Sequence, residues 1–154
     1  MLPARQSEAA LIRTFDAEYV KSIFAHPDCY DRIRDDFTKS PEHLTPPISP
    51  HLIYLRPFEG GAVFMFHPQN VSLWSVHAGV LKSHRKNSRK YALACVDWMR
   101  ANTSCRCIMA LVMVGNYPAM RLIESIGFKQ CGTIPKSVLV SGEMRDQRLY
   151  ALEM

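Results

Sequence analysis

A group of basic side chains lies between two stretches of predicted regular structure near the middle of the chain. It comprises Lys82, His84, Arg85, Lys86, Arg89 and Lys90. A strand is predicted before it, over 71–81, and a helix after it, beginning at Ser88. Helix N-termini bind phosphate because their first amides are unpaired and the helix dipole is positive there. The segment therefore predicts a phosphate-binding loop, although a solvated charged face could have the same composition.

The second chemical feature is the segment from Gly115 to Phe128. An apolar strand predicted over 108–114 leads to Asn116, a good N-cap, and Gly127 fits the position after a helix C-terminus. The residues between them place Ala119, Met120, Leu122, Ile123 and Ile126 on one helical face. The pattern predicts a strand, a short amphipathic helix and another strand.

The sequence motif Asn-x-x-Ala-x-x-Leu-x-x-x-x-Gly-Phe in this segment closely resembles the second conserved block of the GNAT acetyltransferase superfamily. The first block of that superfamily, Arg/Gln-x-x-Gly-x-Gly/Ala, holds the pyrophosphate of coenzyme A and matches Arg85–Lys90 here, with Ser88 and Lys90 replacing its small residues. The ending from Gly142 to Leu152 resembles the closing strand of RimJ-like members. The resemblance covers Tyr54 to Leu152.

The resemblance implies acetyl-CoA as the cofactor and a set of residues that bind it. These are Val80, Leu81, Arg85, Lys86, Asn87, Ser88, Arg89, Lys90 and Asn116. In the family, the strand before the loop pairs its backbone with the pantetheine arm, and the asparagine of the second block lies along that arm. A Lys90 side chain that filled the pyrophosphate site would argue against cofactor binding. No metal site is expected.

Two residues are candidates for proton transfer. His77 lies on the strand before the loop and could act as a general base, because imidazole titrates near neutral pH; a half-buried strand histidine is the alternative. Tyr150 could act as an acid or line the acyl pocket, and otherwise belongs to the core of the last strand. Many GNAT enzymes carry a tyrosine on the second-block helix that protonates the departing thiolate, but Ile123 occupies that position here.

Helices and strands must hold these residues in place, and their predicted order indicates an α/β, or α+β, fold with a mixed sheet. Helices are predicted over 7–25, 28–37 and 88–101 and after Asn116, and strands over 51–57, 62–67, 71–81, 108–114, 128–133 and 148–153. The resemblance implies the GNAT fold, in which the sheet splays between two parallel strands around the cofactor. We expect one domain over 1–154, with variable N-terminal helices and a proline-rich loop over 1–50 and the core sheet with the cofactor loop over 51–154.

Composition limits the classes of protein that fit. The 154 residues are 47% hydrophobic and 21% charged, which suits one globular domain. No apolar run is long enough to span a membrane and the N-terminus has no signal-peptide core, so a cytoplasmic protein is expected. The 5 cysteines lack metal-binding spacing, which favours reduced and mostly buried thiols. The net charge of +5 favours a polyanionic partner.

Two functions fit these features. The first is an acyl-CoA-dependent N-acetyltransferase, in which an amine of a small molecule, a protein N-terminus or a lysine attacks the thioester directly. The alternative is a degenerate GNAT-fold bacteriophage protein that serves in the virion or in head assembly. Gly115, Asn116, Arg121, Ile126 and Gly127 echo a pattern of such proteins. Nucleic-acid binding is not expected, because no aromatic residues interleave the basic loop.

Overall fold

A computed structural model of the protein describes residues 10–154. Its centre is one 7-stranded sheet with the strand order β1-β2-β3-β4-β5-β7-β6. The strands are β1 (Leu11–Thr14), β2 (Ile53–Pro57), β3 (Ala62–Pro68), β4 (Leu73–Val80), β5 (Cys107–Met113), β6 (Lys129–Val140) and β7 (Glu143–Glu153). The helices are α1 (Ala17–Phe24), α2 (Pro27–Ile33), α3 (Ser88–Asn102) and α4 (Tyr117–Ser125), with 3-10 helices at Pro41–His43 and Lys82–Asn87. Within residues 10–154 no helix combines the length and apolar character needed to cross a membrane.

The sheet is split between β4 and β5. These two neighbouring strands are parallel, whereas the other neighbouring pairs are antiparallel. They pair only where Leu73–Ser75 lies beside Cys107–Met109. Beyond Ser75 and Met109 the strands separate, so their facing backbone edges have no strand partner. The mixed sheet and its splayed pair of parallel strands are confirmed.

The two faces of the sheet carry separate hydrophobic cores. On one face, α3 and α4 pack on Phe64, Phe66 and Ile108. On the other face, α1 and α2 pack on Tyr54 and Val63. The second core covers β2 and β3 but leaves β5 open, and Leu111 is 39% exposed there. The apolar run at 108–114 predicts a strand buried on both faces, and this prediction is wrong because no helix among residues 10–154 covers the second face of β5.

The N-terminal third differs from the predicted pair of long helices. Residues 11–14 form the edge strand β1, which pairs with β2, and residues 7–9 lie outside the described residues. The hydrogen bonds with β2 determine the structure of residues 11–14, although the spacing of their apolar residues also suits a helix. The helix α1 begins only after Asp16, whose carboxylate accepts the amide of Tyr19 at 3.1 Å. The helix α2 is shorter than predicted, and its N-cap is His26, whose side chain accepts the amide of Asp28.

The last two strands are longer than predicted and form a hairpin that turns at Ser141 and Gly142. The strand register shifts between Ile134 and Val138, and such an irregularity bends a hairpin. Most hairpin residues are exposed, so their sequence carries little of the hydrophobic alternation that marks a strand.

The turn of this hairpin is fastened to the segment that follows α2. The carboxylate of Asp36 accepts the amides of Ser141 and Gly142 at 2.7 and 2.8 Å, and the amide of Asp36 donates to the carbonyl of Leu139 at 2.8 Å. The bonds from Gly142 and Ser141 lower the pKa of Asp36. We call this contact the Asp36 clamp. It joins the end of α2 to a turn that projects past the last residues of β5.

Candidate active site

A cavity of about 530 Å³ opens at the split between β4 and β5. Four parts of the chain form its wall: α2 with Asp28, Cys29, Arg32 and Ile33; β4 with Ala78, Gly79 and Val80; the basic loop and first turn of α3 with Arg85, Lys86, Ser88 and Arg89; and α4 with Asn116, Pro118, Ala119, Arg121 and Leu122. This volume is within the range of ligand pockets. We call it the cleft.

The helix α2 crosses the open end of the split. Its first turn is held at the loop after β4, where the carboxylate of Asp28 accepts the amide of Lys82 at 2.8 Å. Its other end is held by the Asp36 clamp on the far side of β5. The end of α2 that carries Arg32 and Ile33 therefore overhangs the middle of the cleft.

The side chains around the cleft make it strongly positive. They are Arg32, Arg85, Lys86, Arg89 and Arg121, and the single carboxylate in the wall belongs to Asp28. The amide of Lys82 and then the cations nearby lower the pKa of Asp28, so that this carboxylate is ionised and engaged in holding the loop. A polyanion would relieve the mutual repulsion of the remaining charges.

The start of α3 is suited to an anionic ligand. Asn87 occupies the N-cap position, but its side chain makes no capping hydrogen bond, and the first turn contains no acidic residue. Ser88 and Arg89 of this first turn line the cleft. The amide of Ser88 donates to the carbonyl of Arg85 in the preceding 3-10 helix, and no side-chain oxygen caps the amides that follow it.

The basic loop comprises residues 82–87 and forms a 3-10 helix. It is held by α2 on one side and by the turn between β2 and β3 on the other. Arg85 donates from Nη2 to the carbonyl of Asp28 at 2.7 Å. Leu81 donates its amide to the carbonyl of Gly61 at 2.9 Å, and a Cβ on Gly61 would overlap the imidazole ring of His84. These contacts fix the loop before any ligand arrives.

The structure brings six of the nine predicted cofactor residues to the cleft. They are Val80, Arg85, Lys86, Ser88, Arg89 and Asn116. Leu81 instead packs on the core beneath α1, and Asn87 donates from Nδ2 to the hydroxyl of Tyr91 at 3.4 Å. Lys90 is exposed and does not line the cleft, so it does not fill the space at the start of α3. Asn116 occupies the N-cap position of α4 as expected, but its side chain makes no capping hydrogen bond.

His77 lies at the point where β4 leaves β5. It is two residues beyond Ser75, the last residue of β4 that pairs with β5, and it shares the face of Met65. The side chain is exposed at the surface, yet protein atoms around the ring partly desolvate it. This desolvation, with a smaller effect of His67, lowers the pKa of His77. At neutral pH the imidazole is therefore uncharged and able to accept a proton.

Tyr150 is away from the cleft. Its side chain is 0% exposed within the core beneath α4, and its hydroxyl donates to Oε1 of Glu124 at 2.9 Å. Burial and then Glu124 raise the pKa of this hydroxyl. The structure thus agrees with the alternative in which Tyr150 belongs to the core, and Tyr150 is not among the residues that line the cleft.

Sequence reasoning missed the contribution of α2 to the cleft, and Arg121 on α4. Asp28 contacts the basic loop at Lys82, which is 54 residues further along the chain, and no local pattern signals such a contact. Cys29 is buried in the same wall, and burial raises the pKa of its thiol, which keeps it protonated. The other cysteines lie elsewhere, with Cys95 and Cys105 buried and Cys131 exposed.

A second, smaller cavity of about 60 Å³ lies under the split on the face of α3 and α4. Its wall is apolar throughout and consists of Phe64, Phe66, Val76, Ala78, Ala92, Val96, Ile108, Leu122, Ile123, Ile126 and Phe128. Ala78 and Leu122 line both this cavity and the cleft, so the two are adjacent. We call it the apolar pocket.

Solved structures with the same fold include acetyltransferases. A GNAT-family acetyltransferase from Bacillus anthracis aligns with a TM-score of 0.68 and 16% identity over 94% of this chain and 96% of that one. The protein smu.2055 from Streptococcus mutans aligns with a TM-score of 0.68 and 12% identity over 94% and 98%. RimJ from Mycobacterium smegmatis, solved with CoA-disulfide, aligns with a TM-score of 0.58 and 16% identity over 67% and 53%. No family model matches the sequence, and no curated protein does.

Proposed function

We propose that this chain, which has the fold of the GNAT acetyltransferases, is an acyl-CoA-dependent N-acetyltransferase. The observation that carries the proposal is the positive cleft at the start of α3, at the split of the sheet. Coenzyme A bears a pyrophosphate and a 3′-phosphate, and this cleft offers five cationic side chains to one carboxylate. Nothing in the comparisons supports the alternative of a virion protein.

The residues of the cleft fit each part of the cofactor. Ser88 and Arg89, with the terminal amides of α3, would hold the pyrophosphate. The edge of β4 beyond Ser75 has no β5 partner, so its backbone can pair with the amides of the pantetheine arm. Asn116 offers a side-chain amide that is not used for capping α4. The thioester would then lie where the two strands part.

Acetyl-CoA supplies a thioester whose carbonyl carbon an amine attacks, so that a C–N bond forms, the C–S bond breaks and the thiolate leaves. His77 stands on the side of the split from which we propose the amine enters, and its neutral imidazole accepts the proton that the amine loses. Ile123 has no proton to give, so solvent at the open cleft protonates the thiolate.

The amine acceptor would enter beneath the overhanging end of α2. The Asp36 clamp closes this entrance on the side of β5, and the exposed face of β5 with Leu111 forms its floor. Amines of small molecules, protein N-termini and lysine side chains remain the acceptor classes proposed. Spermidine N-acetyltransferase from Vibrio cholerae and RimJ share the fold.

Charge reversal beside the start of α3 tests the cofactor site. Arg89→Glu is expected to weaken the binding of acetyl-CoA by about 100-fold, because it removes a charge-assisted contact and adds repulsion. The measurement is calorimetric titration with acetyl-CoA. Lys90→Glu is the matched control, since it makes the same change in net charge at the next residue, outside the cleft.

The control separates local contacts from the overall charge of the protein. Equal losses in Arg89→Glu and Lys90→Glu would mean that only net charge matters, and would contradict a cofactor site at Arg89. A wild-type protein that does not bind acetyl-CoA at millimolar concentration would show that the proposed function is wrong.

A further inference from the structure

The apolar pocket lies directly under the place where the thioester would react. Val76, the first residue of β4 past the last β5 pair, lines it from one side, and Ile108 of β5 lines it from the other. His77 is adjacent to Val76 in the strand and therefore points to the opposite face of the sheet. A carbonyl held at the split would thus have the base on one side and the apolar pocket on the other.

We propose that the apolar pocket is a subsite for the chain of acyl groups longer than acetyl, so that propionyl-CoA and butyryl-CoA are donors. The inference rests on the proposed function and adds the class of acyl donor. Ala78 and Leu122 line both cavities, so the pocket adjoins the cleft from which the acyl chain would enter it.

The lining and size of the pocket fit a short alkyl chain. Every lining residue is hydrophobic, so water would find no hydrogen-bond partner among the side chains. The volume of about 60 Å³ admits roughly two methylene groups, each a little smaller than the volume a water occupies in the liquid. Burying each methylene should tighten binding by about fourfold. A chain of hexanoyl length would exceed the pocket.

Ile123 is central to this wall. The family resemblance puts a tyrosine at this position, and a phenol there would extend into the pocket with a hydroxyl. The isoleucine keeps the wall aliphatic instead. Ile123 therefore takes the place of the expected proton donor and also provides apolar space beside the thioester.

The test is a calorimetric series with coenzyme A, acetyl-CoA, propionyl-CoA, butyryl-CoA and hexanoyl-CoA. The affinity of the wild-type protein is expected to rise about fourfold at each step from acetyl to butyryl and to fall at hexanoyl. Ala92→Val fills the pocket from α3 and is expected to abolish the gain while leaving the affinity for acetyl-CoA unchanged. Ile123→Phe fills the pocket from α4 and is likewise expected to abolish the gain from acetyl to butyryl.

Ala94→Val is the matched control. Ala94 is a buried residue of the same helix that does not line the pocket, so the change adds equal bulk elsewhere and should preserve the gain. Equal affinity of the wild-type protein for acetyl-CoA and butyryl-CoA overturns the subsite, as does a gain that survives in Ala92→Val and Ile123→Phe. Failure to bind any of the five compounds overturns the proposed function, and the subsite with it.

Discussion

His77→Gln is expected to lower kcat for acetyl transfer by about 100- to 10,000-fold, the range for removing a general base, without changing the affinity for acetyl-CoA. Glutamine keeps much of the size and polarity of histidine but cannot accept the proton. His77 is also absent from the wall of the cleft that would hold the cofactor. The measurements are initial rates with saturating acceptor and a calorimetric Kd for acetyl-CoA.

The pH profile tests the same assignment. Desolvation, and to a lesser degree His67, lowers the pKa of His77 from its ordinary value of 6.5. A base must be neutral to work, so kcat should rise with pH through a pKa below 6.5 and then level off. His67→Gln removes one nearby titrating group, so the rising limb should move to higher pH with little change in the plateau. A kcat unaffected by His77→Gln would exclude this residue as the base.

Gly61→Ala is expected to weaken acetyl-CoA binding by at least about tenfold and to lower the free energy of unfolding by about 2–3 kcal/mol. Gly61 has a φ of 79°, and a Cβ there would overlap the ring of His84 in the basic loop. The loop must therefore move away from the position in which Ser88 and Arg89 face the cleft. Denaturant unfolding and calorimetry measure the two effects.

Gly60→Ala distinguishes loop displacement from backbone strain. Gly60 has nearly the same φ, 83°, but a Cβ there meets only Tyr19, at 3.9 Å or more. The cost should be about 1 kcal/mol in the free energy of unfolding, with no change in acetyl-CoA affinity. Equal weakening of acetyl-CoA binding in both variants would contradict the role of Gly61 in positioning the loop.

The local signals in the sequence predicted the helices beside the cleft well. The start of α3 at Ser88 and the helix after Asn116 depend on neighbouring residues, and both are found within one residue of the expected position. The split of the sheet also agrees with the resemblance carried by these two segments. These features depend on contacts between residues that are close in sequence, and such contacts leave patterns that can be recognised in the sequence.

The remaining features depend on partners distant in sequence. Residues 11–14 form a strand because β2 lies beside them, although their spacing also suits a helix. Tyr150 could have faced either side of β7, and only the packing of α4 and Glu124 determines which. Arg32 reaches the cleft because both ends of α2 are held by other parts of the chain. No window of neighbouring residues contains this information.

The Asp36 clamp has a consequence for the order in which the protein matures during synthesis. Its partners, Asp36 and Ser141, are 105 residues apart, whereas the basic loop and α3 are complete well before the hairpin leaves the ribosome. Contacts of such long range are slow to form, because the intervening chain must first be ordered. The half of the cleft that would hold the cofactor can thus assemble early, while the entrance for the amine closes only when nearly the whole chain has been made.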